Sequence, residues 1–209
     1  MVLCLLIGDS HIPYRAKEIS QSILNRLDDL TTDQLFDYAF FTGDVIKAPD
    51  FIKFLERRTE KKFFIVVGNM DYYYGNRNAP IYQELKILFN NNDKLSIGLT
   101  HGAQIRPRGD HYQLEQLAIE KDNNILISGH THKEEVYLTK KGITLINPGS
   151  VTGVWSFIAS GIPSFSVIRI NKQSGDIQVS LYQLNIKNDK ITKLDSYFVF
   201  ENDKIQYKY

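Results

Sequence analysis

Five short stretches of the chain place a glycine beside side chains that bind divalent cations: Gly8-Asp9-Ser10-His11, Gly43-Asp44, Gly68-Asn69, His101-Gly102 and Gly129-His130-Thr131-His132. They supply Asp9, His11, Asp44, Asn69, His101, His130 and His132, using four of the five histidines and leaving His111 aside. Carboxylate, amide and imidazole donors without a thiolate suit manganese, iron or zinc better than calcium. These donors exceed what one catalytic zinc normally takes. Two ions sharing a carboxylate would use them all; such pairs lie about 3.5–4 Å apart and clamp the attacking and leaving oxygens of a phosphoryl transfer. Taken singly, Asp-x-His or Gly-Asp is an ordinary turn sequence. Five such stretches in order, each ending an apolar run, leave that plain reading little room.

Gly8-Asp9-Ser10 also fits the nucleophile loop of a serine esterase, a chemistry that needs a base within reach of the serine. No histidine follows His132 in the chain, so Ser10 is read as a loop residue.

The elements that must position these residues follow from periodicity. Val2 to Ile7 is an apolar run stopped by Gly-Asp, the pattern of a buried strand entering a loop at its carboxyl end. Ile19, Ile23, Leu24, Leu27 and Leu30 give Ala16 to Leu30 a helical period. Phe36 to Thr42 is a second strand, Pro49 opens a short helix through Leu55, and Lys62 to Val67 is a third strand. This alternation predicts an α/β fold with a largely parallel sheet. Asp71 to Pro80 reads as an aperiodic aromatic loop, and Leu85 to Phe89 and Leu95 to Thr100 as strands around Asn90-Asn91-Asn92-Asp93. A helix over Tyr112 to Ile119, with Leu114, Leu117 and Ala118 inward, precedes a strand over Ile125 to Ser128. Hairpins follow over 136–138 with 143–146 and over 164–170 with 177–184, and 191–200 adds an edge hairpin near Asn202-Asp203. The whole is expected to be one domain over 1–209, two facing sheets with helices outside: a core of 1–184 and a C-terminal β-hairpin extension of 185–209.

Bulk properties exclude several classes. Twenty-five basic and 24 acidic side chains leave a net charge of +1, which gives no nucleic-acid or anionic-membrane signal. The single cysteine, Cys4, sits in mid-strand and reads as a buried structural thiol. No secretory signal or membrane-length apolar stretch is evident, so a cytoplasmic protein without membrane insertion is expected.

The ordered set Asp-x-His, Gly-Asp, Gly-Asn, His-Gly and Gly-His-x-His resembles the calcineurin-like metallophosphoesterase superfamily. Gly8-Asp9-Ser10-His11-Ile12-Pro13, Leu126 to Lys133, Ile146-Asn147-Pro148-Gly149-Ser150 and Ile162-Pro163-Ser164-Phe165 are most similar to its small branch. That branch contains bacterial and archaeal phosphodiesterases and the retromer subunit vacuolar protein sorting-associated protein 29. The resemblance implies a four-layer αββα sandwich and a phosphodiesterase with two divalent ions, manganese first, with zinc or iron open. Asp9, His11 and His132 would hold one ion and Asn69, His101 and His130 the other, with Asp44 bridging. Asp44, Asn69 and His101 would take part in catalysis by a metal-bound hydroxide. The alternative it implies is a retromer-like scaffold that binds a protein partner with weak or no catalysis.

Some positions depart from the family pattern. Met70 stands where many members carry a histidine acid, which predicts a slow enzyme, since general acid catalysis contributes about 10²–10⁴-fold. Ala103 replaces a further histidine, and Ile105-Arg106-Pro107-Arg108 replaces an apolar partner-binding stretch. Asp71, Arg106 and Arg108 are therefore expected beside the metal ligands or at a substrate phosphate. His111 reads as a surface helix-start residue, Val167 and Tyr182 as strand core, and Tyr72 to Tyr74 as a lid or turn able to stack on a ring.

Overall fold

Because Val2–Ile7 is apolar at every position, strand β1 can be buried on both faces, and it is. The structure, a computed structural model, describes residues 1–90 and 93–208. After β1 come helix α1 (Gln21–Leu30), β2 (Phe36–Phe41), α2 (Pro49–Glu56), β3 (Thr59–Ile65) and the single-turn α3 (Asn69–Tyr73). Strands β4 (Tyr82–Leu88) and β5 (Lys94–Thr100), helix α4 (His111–Glu120), and strands β6 (Ile125–Ile127), β7 (Glu135–Leu138) and β8 (Thr144–Asn147) form the middle of the chain. It ends in β9 (Ser164–Ile170), β10 (Asp176–Asn185), β11 (Lys190–Glu201) and β12 (Lys204–Tyr207).

Two mixed sheets result. The larger has the order β12-β11-β10-β9-β1-β2-β3, the smaller β4-β5-β6-β8-β7. β1, β2 and β3 run parallel, while β9 joins β1 antiparallel, with Cys4 opposite Ile168. The period of two along β1 divides its side chains between two cores. Val2, Cys4 and Leu6 face the space between the sheets, where they meet Ile97, Leu99, Ile125 and Ile127 of the smaller sheet. Leu3, Leu5 and Ile7 face outward onto Ile23, Leu27, Phe51 and Leu55 of α1 and α2. On the far side Leu114 and Ala118 of α4 cover Leu126 and Leu145. The layers are helix, sheet, sheet, helix.

Several expected boundaries move. The helix read from Ala16 begins only at Gln21, with Ser20 at its N-cap. Ile19 does enter the core, but from an irregular segment that turns back just after His11, where the Arg15 amide donates to the His11 carbonyl. β3 spans Thr59–Ile65 rather than 62–67, because the Phe36 amide pairs with the Arg58 carbonyl and the parallel register starts early. The loop read at Asp71 opens with α3, a turn whose start is held by the Asp71 carboxylate. Asn91 and Asn92, in the turn-rich spacer, lie outside the described residues. The segment beyond Leu184 is paired along its length: β11 runs antiparallel to β10 from Lys190 to Val199, and Phe198, Phe200 and Ile205 enter the core between the sheets. Val167 and Tyr182 are buried beneath α1 and α2. No helix among the described residues is long and apolar enough to cross a membrane.

Candidate metal centre

Parallel strands carry their ligands in the loops beyond their carboxyl ends. Here those loops follow β1, β2, β3, β5 and β6, and they bring the five sequence stretches to one place. The backbone bends sharply to do it. Asp9 and His11 have φ of 50°, Asp44 55°, His130 68° and His132 58°, all left-handed and none a glycine. Each such residue costs of order 1–3 kcal/mol and persists only where its surroundings hold it. Two glycines with ordinary φ serve close approach instead. A Cβ on Gly68 would overlap the Asp44 carboxylate and backbone, and one on Gly129 would overlap Asp9 Oδ2 and Thr42 Oγ1.

All seven candidate side chains meet. His11 Nε2 lies 3.0 Å from His132 Nε2 and 3.8 Å from Asp9 Oδ1, and His132 Nε2 lies 3.4 Å from that same oxygen. On the other side His101 Nε2 lies 3.0 Å from Asn69 Oδ1 and 3.3 Å from His130 Nδ1. Asp44 Oδ2 stands between the halves, 3.3 Å from His11 Nε2 and 3.5 Å from His101 Nε2. His101 Nδ1 meets the Thr42 carbonyl at 2.8 Å and His132 Nδ1 meets the Val154 carbonyl at 2.9 Å. A nitrogen facing a carbonyl must carry the proton, which leaves Nε2 of each ring facing inward as the atom that can offer a lone pair to a cation. This is the usual arrangement of a metal-ligating histidine.

A fit to cations can be judged from the protein alone. Asp9 Oδ2 accepts from Thr42 Oγ1 and from the His130 amide, both at 3.2 Å, while Asp9 Oδ1 is fully buried without a hydrogen-bond partner. A buried carboxylate oxygen with no donor is costly unless a cation completes it. Burial pushes His11 down to about 3 and His130 to about 4, so both imidazoles are neutral and able to coordinate. Burial would raise Asp9, but the imidazoles of His132, His101 and His11 hold it below the usual carboxylate range. Burial lifts Asp44 to about 6, with Asp9 adding to the effect and the neighbouring His101 opposing it. Burial opposes a charge on His132, yet Asp9 beside it raises its proton affinity. The donor set is oxygen and nitrogen throughout, and it fits borderline divalent ions.

The remaining expected residues fall differently. Asp71 is buried, and its amide donates to Asp44 Oδ1 at 3.3 Å, but its carboxylate meets none of the seven side chains. Its carboxylate accepts the amides of Asp44 and Ile46, each at 2.7 Å, and of Gly68 at 3.0 Å. It therefore positions the Asp44 loop from beside the ligands. Arg108 Nη1 donates to Ser156 Oγ at 3.2 Å, and its charge lies close enough to disfavour a proton on His130. The Arg106 side chain is exposed. His111 opens α4 as expected, with its Nε2 2.8 Å from Glu135 Oε2 and its ring stacked on Tyr137. Ser10 is fully buried and donates to the Val45 carbonyl at 3.2 Å.

Sequence reasoning gave no role to Thr42, whose hydroxyl and carbonyl hold Asp9 and His101, or to Ser150, whose hydroxyl donates to the Asp9 carbonyl at 2.7 Å. Asn147 likewise bonds the Gly129 carbonyl and Thr131 Oγ1, each at 2.9 Å. The signal for Asn147 and Ser150 lay in the Asn-Pro-Gly-Ser stretch; for Thr42 it was only its place before Gly43-Asp44.

Comparison with known proteins agrees with this architecture. The family model for the calcineurin-like phosphoesterase superfamily domain matches residues 2–172. A probable metallophosphoesterase of Methanothermobacter thermautotrophicus is 33% identical over 174 residues, which are 83% of this chain and 89% of that protein. The structure of vacuolar protein sorting 29 from Cryptosporidium parvum aligns with a TM-score of 0.79 at 32% identity, covering 95% of this chain and 98% of that one. Wild-type Vps29 from Entamoeba histolytica, solved in complex with zinc, aligns with a TM-score of 0.76 at 30% identity, covering 93% and 99%. Matched by the family model over residues 2–172 and by a metallophosphoesterase relative at 33% identity over 83% of its length, this chain belongs to the calcineurin-like phosphoesterase superfamily.

Proposed function

We propose that the chain hydrolyses phosphodiesters with two divalent cations, manganese first, held at the strand ends. Asp9, His11 and His132 would take one ion, Asn69, His101 and His130 the other, and Asp44 both. The observation that carries this reading is the position of Asp44 Oδ2 within 3.5 Å of an imidazole Nε2 from each half of the cluster. The zinc in the Entamoeba Vps29 structure supports the same direction. Bound cations would supply Lewis acidity and a water activated near neutral pH. The protein's part is to keep the rings of His101 and His132 fixed by the Thr42 and Val154 carbonyls and to exclude water from Asp9. Met70, where many members of the family carry a histidine, offers its backbone amide to Asp44 Oδ1 at 2.8 Å, and its thioether has no proton to give. Turnover is therefore expected to be slow and to favour good leaving groups.

The test is manganese-dependent hydrolysis of bis-p-nitrophenyl phosphate. Activity that follows metal content and is lost in Asp44→Ala is the expected result; a manganese-loaded protein without turnover refutes the reading. The second reading, a protein-binding scaffold of retromer type, draws on the likeness to Vps29 structures and on Met70. It predicts capture of a helical-solenoid partner and metal binding without catalysis.

A further inference from the structure

The smaller sheet has a second face, turned away from the metal centre. Along β6, Ile125 and Ile127 enter the core between the sheets while Leu126 packs under α4, and along β8 Ile146 and Leu145 divide in the same way. The period of two puts Ser128 on the side of Leu126 and Asn147 on the side of Leu145. There, at the carboxyl ends of both strands, a cavity of about 250 Å³ opens against His111 and Leu114 of α4. Arg108, Lys133 and Glu135 complete its polar wall, and none of the seven metal ligands lines it. Crevices in this position are where open α/β sheets take their ligands. Thr131, between His130 and His132, also faces the cavity. The cavity thus shares a loop with the metal centre but no ligand, and it can be occupied whether or not the centre turns over substrate.

The balance of charge in the wall decides what fits. Glu135 is the one carboxylate lining the cavity, and His111 Nε2 engages it at 2.8 Å. Arg108 bonds to an uncharged partner, Ser156 Oγ at 3.2 Å, and lies 5.1 Å from the Phe157 ring. Lys133 pairs with no carboxylate among the described residues. Two cationic side chains are therefore left without a counter-charge. Ser128 is only 5% exposed, and its hydroxyl has no hydrogen-bond partner among the described residues. A hydroxyl so nearly buried is costly unless something accepts its proton. Leu114 and Leu145 give the cavity an apolar side. We infer that it binds a small organic anion, a phosphate or carboxylate head group on a compact apolar body. Arg108 and Lys133 supply the charge, Ser128 a hydroxyl donor, and the two leucines the apolar contact. Pockets for drug-sized molecules run to about 300–1,000 Å³, so the occupant here is smaller than those.

Phenylphosphonate and benzoate, one ring carrying each head group, serve as probes, with benzyl alcohol as the uncharged control. Each is titrated into nitrogen-15-labelled protein and followed by amide correlation spectra. One sample is stripped of metal with a chelator that is then dialysed away; a second is loaded with diamagnetic zinc. Saturable shifts of the Ser128, Thr131 and Lys133 amides are expected in the metal-free sample, and the tighter anion identifies the head group. Arg108→Gln and Lys133→Gln should each raise its Kd at least about tenfold, the lower end for a hydrogen bond to a charged group. Ser128→Ala, which adds no bulk, should raise it about twofold or more. Arg106→Gln removes an exposed arginine outside the cavity and should leave it unchanged. Neither anion binding at up to about 10 mM overturns the inference. So does binding confined to the zinc-loaded sample, since the anion would then sit on the cations. Benzyl alcohol binding as tightly as the anions, or a Kd unmoved by both Arg108→Gln and Lys133→Gln, overturns it as well. All of these outcomes leave the phosphodiesterase reading to its own test.

Discussion

Asp71 shows how one buried carboxylate can govern a site while touching only its backbone. It holds three amides, and two belong to residues in left-handed conformation, Asp44 at φ 55° and Ile46 at φ 68°. Ile46 is branched at Cβ, the residue type least suited to that region. Asp71→Ala leaves three buried N–H groups unpaired at about 1–3 kcal/mol each, so a loss of at least about 3 kcal/mol is expected. Denaturant titration should show that loss, and elemental analysis should show a fall in bound metal; Asp71→Asn, which keeps one acceptor, should fall between. His11 offers a test through pH. Its folded-state value of about 3 lies below the ordinary 6.5, so between those limits the unfolded chain binds a proton that the native protein refuses. In metal-free protein this contribution is complete above pH 6.5 and is lost as pH falls toward 3. The stability difference between wild type and His11→Ala should therefore shift against the wild type on acidification through that window, measured by denaturation in chelator. A difference independent of pH would contradict it. Both cases explain what was legible in the sequence. His11 is visible because ligand chemistry depends on residue type, whereas the role of Asp71 depends on which amides a fold brings to it.

Elements were legible where one period dominated and less so where two signals competed. β1 and β9 fall where their patterns place them, since a run buried on both sides has no alternative register for its polar ends. α1 was read five residues too long because Ile19 continues a helical spacing while serving as a core anchor from an irregular turn. Leu27 lies on the face of α1 that packs beneath the larger sheet, and it is fully buried. Leu27→Ala should cost about 2–5 kcal/mol and leave metal stoichiometry unchanged. Phe200 on β11 tests whether the end of the chain is an appendage. Its ring meets Phe89 of the other half at a centroid distance of 5.4 Å, in the core between the sheets. Phe200→Ala should cost about 3–5 kcal/mol and keep the unfolding transition single. A loss below about 1 kcal/mol would show that β11 and β12 fold on independently of the rest.

For the molecule as a whole, the centre joins loops from both sheets, so cations there should act as a clamp across the sandwich. Saturating metal at about a hundred times its dissociation constant adds about 2.7 kcal/mol to the native state. For a chain of this size each kcal/mol moves Tm by about 2–4 °C, so chelation should lower it by about 5–11 °C. Calorimetry before and after chelation measures this, and an unchanged Tm would mean that the loops are held without ions. The four-layer architecture and the membership of the superfamily were readable from five motifs, because their order is fixed by the strand order. The carbonyl that fixes the His132 ring was not: it belongs to Val154, 22 positions further on, and nothing in either neighbourhood announces the other.

The reversed twist of the backbone at Asp9, His11, Asp44, His130 and His132 sets a conflict of design. Glycine at any of them would release torsional tension and yield a sturdier chain, but it would delete a donor atom. A protein tuned for durability alone would have accepted that exchange. That this one carries carboxylates and imidazoles in postures natural only to glycine means its most uncomfortable residues are the ones it can least do without.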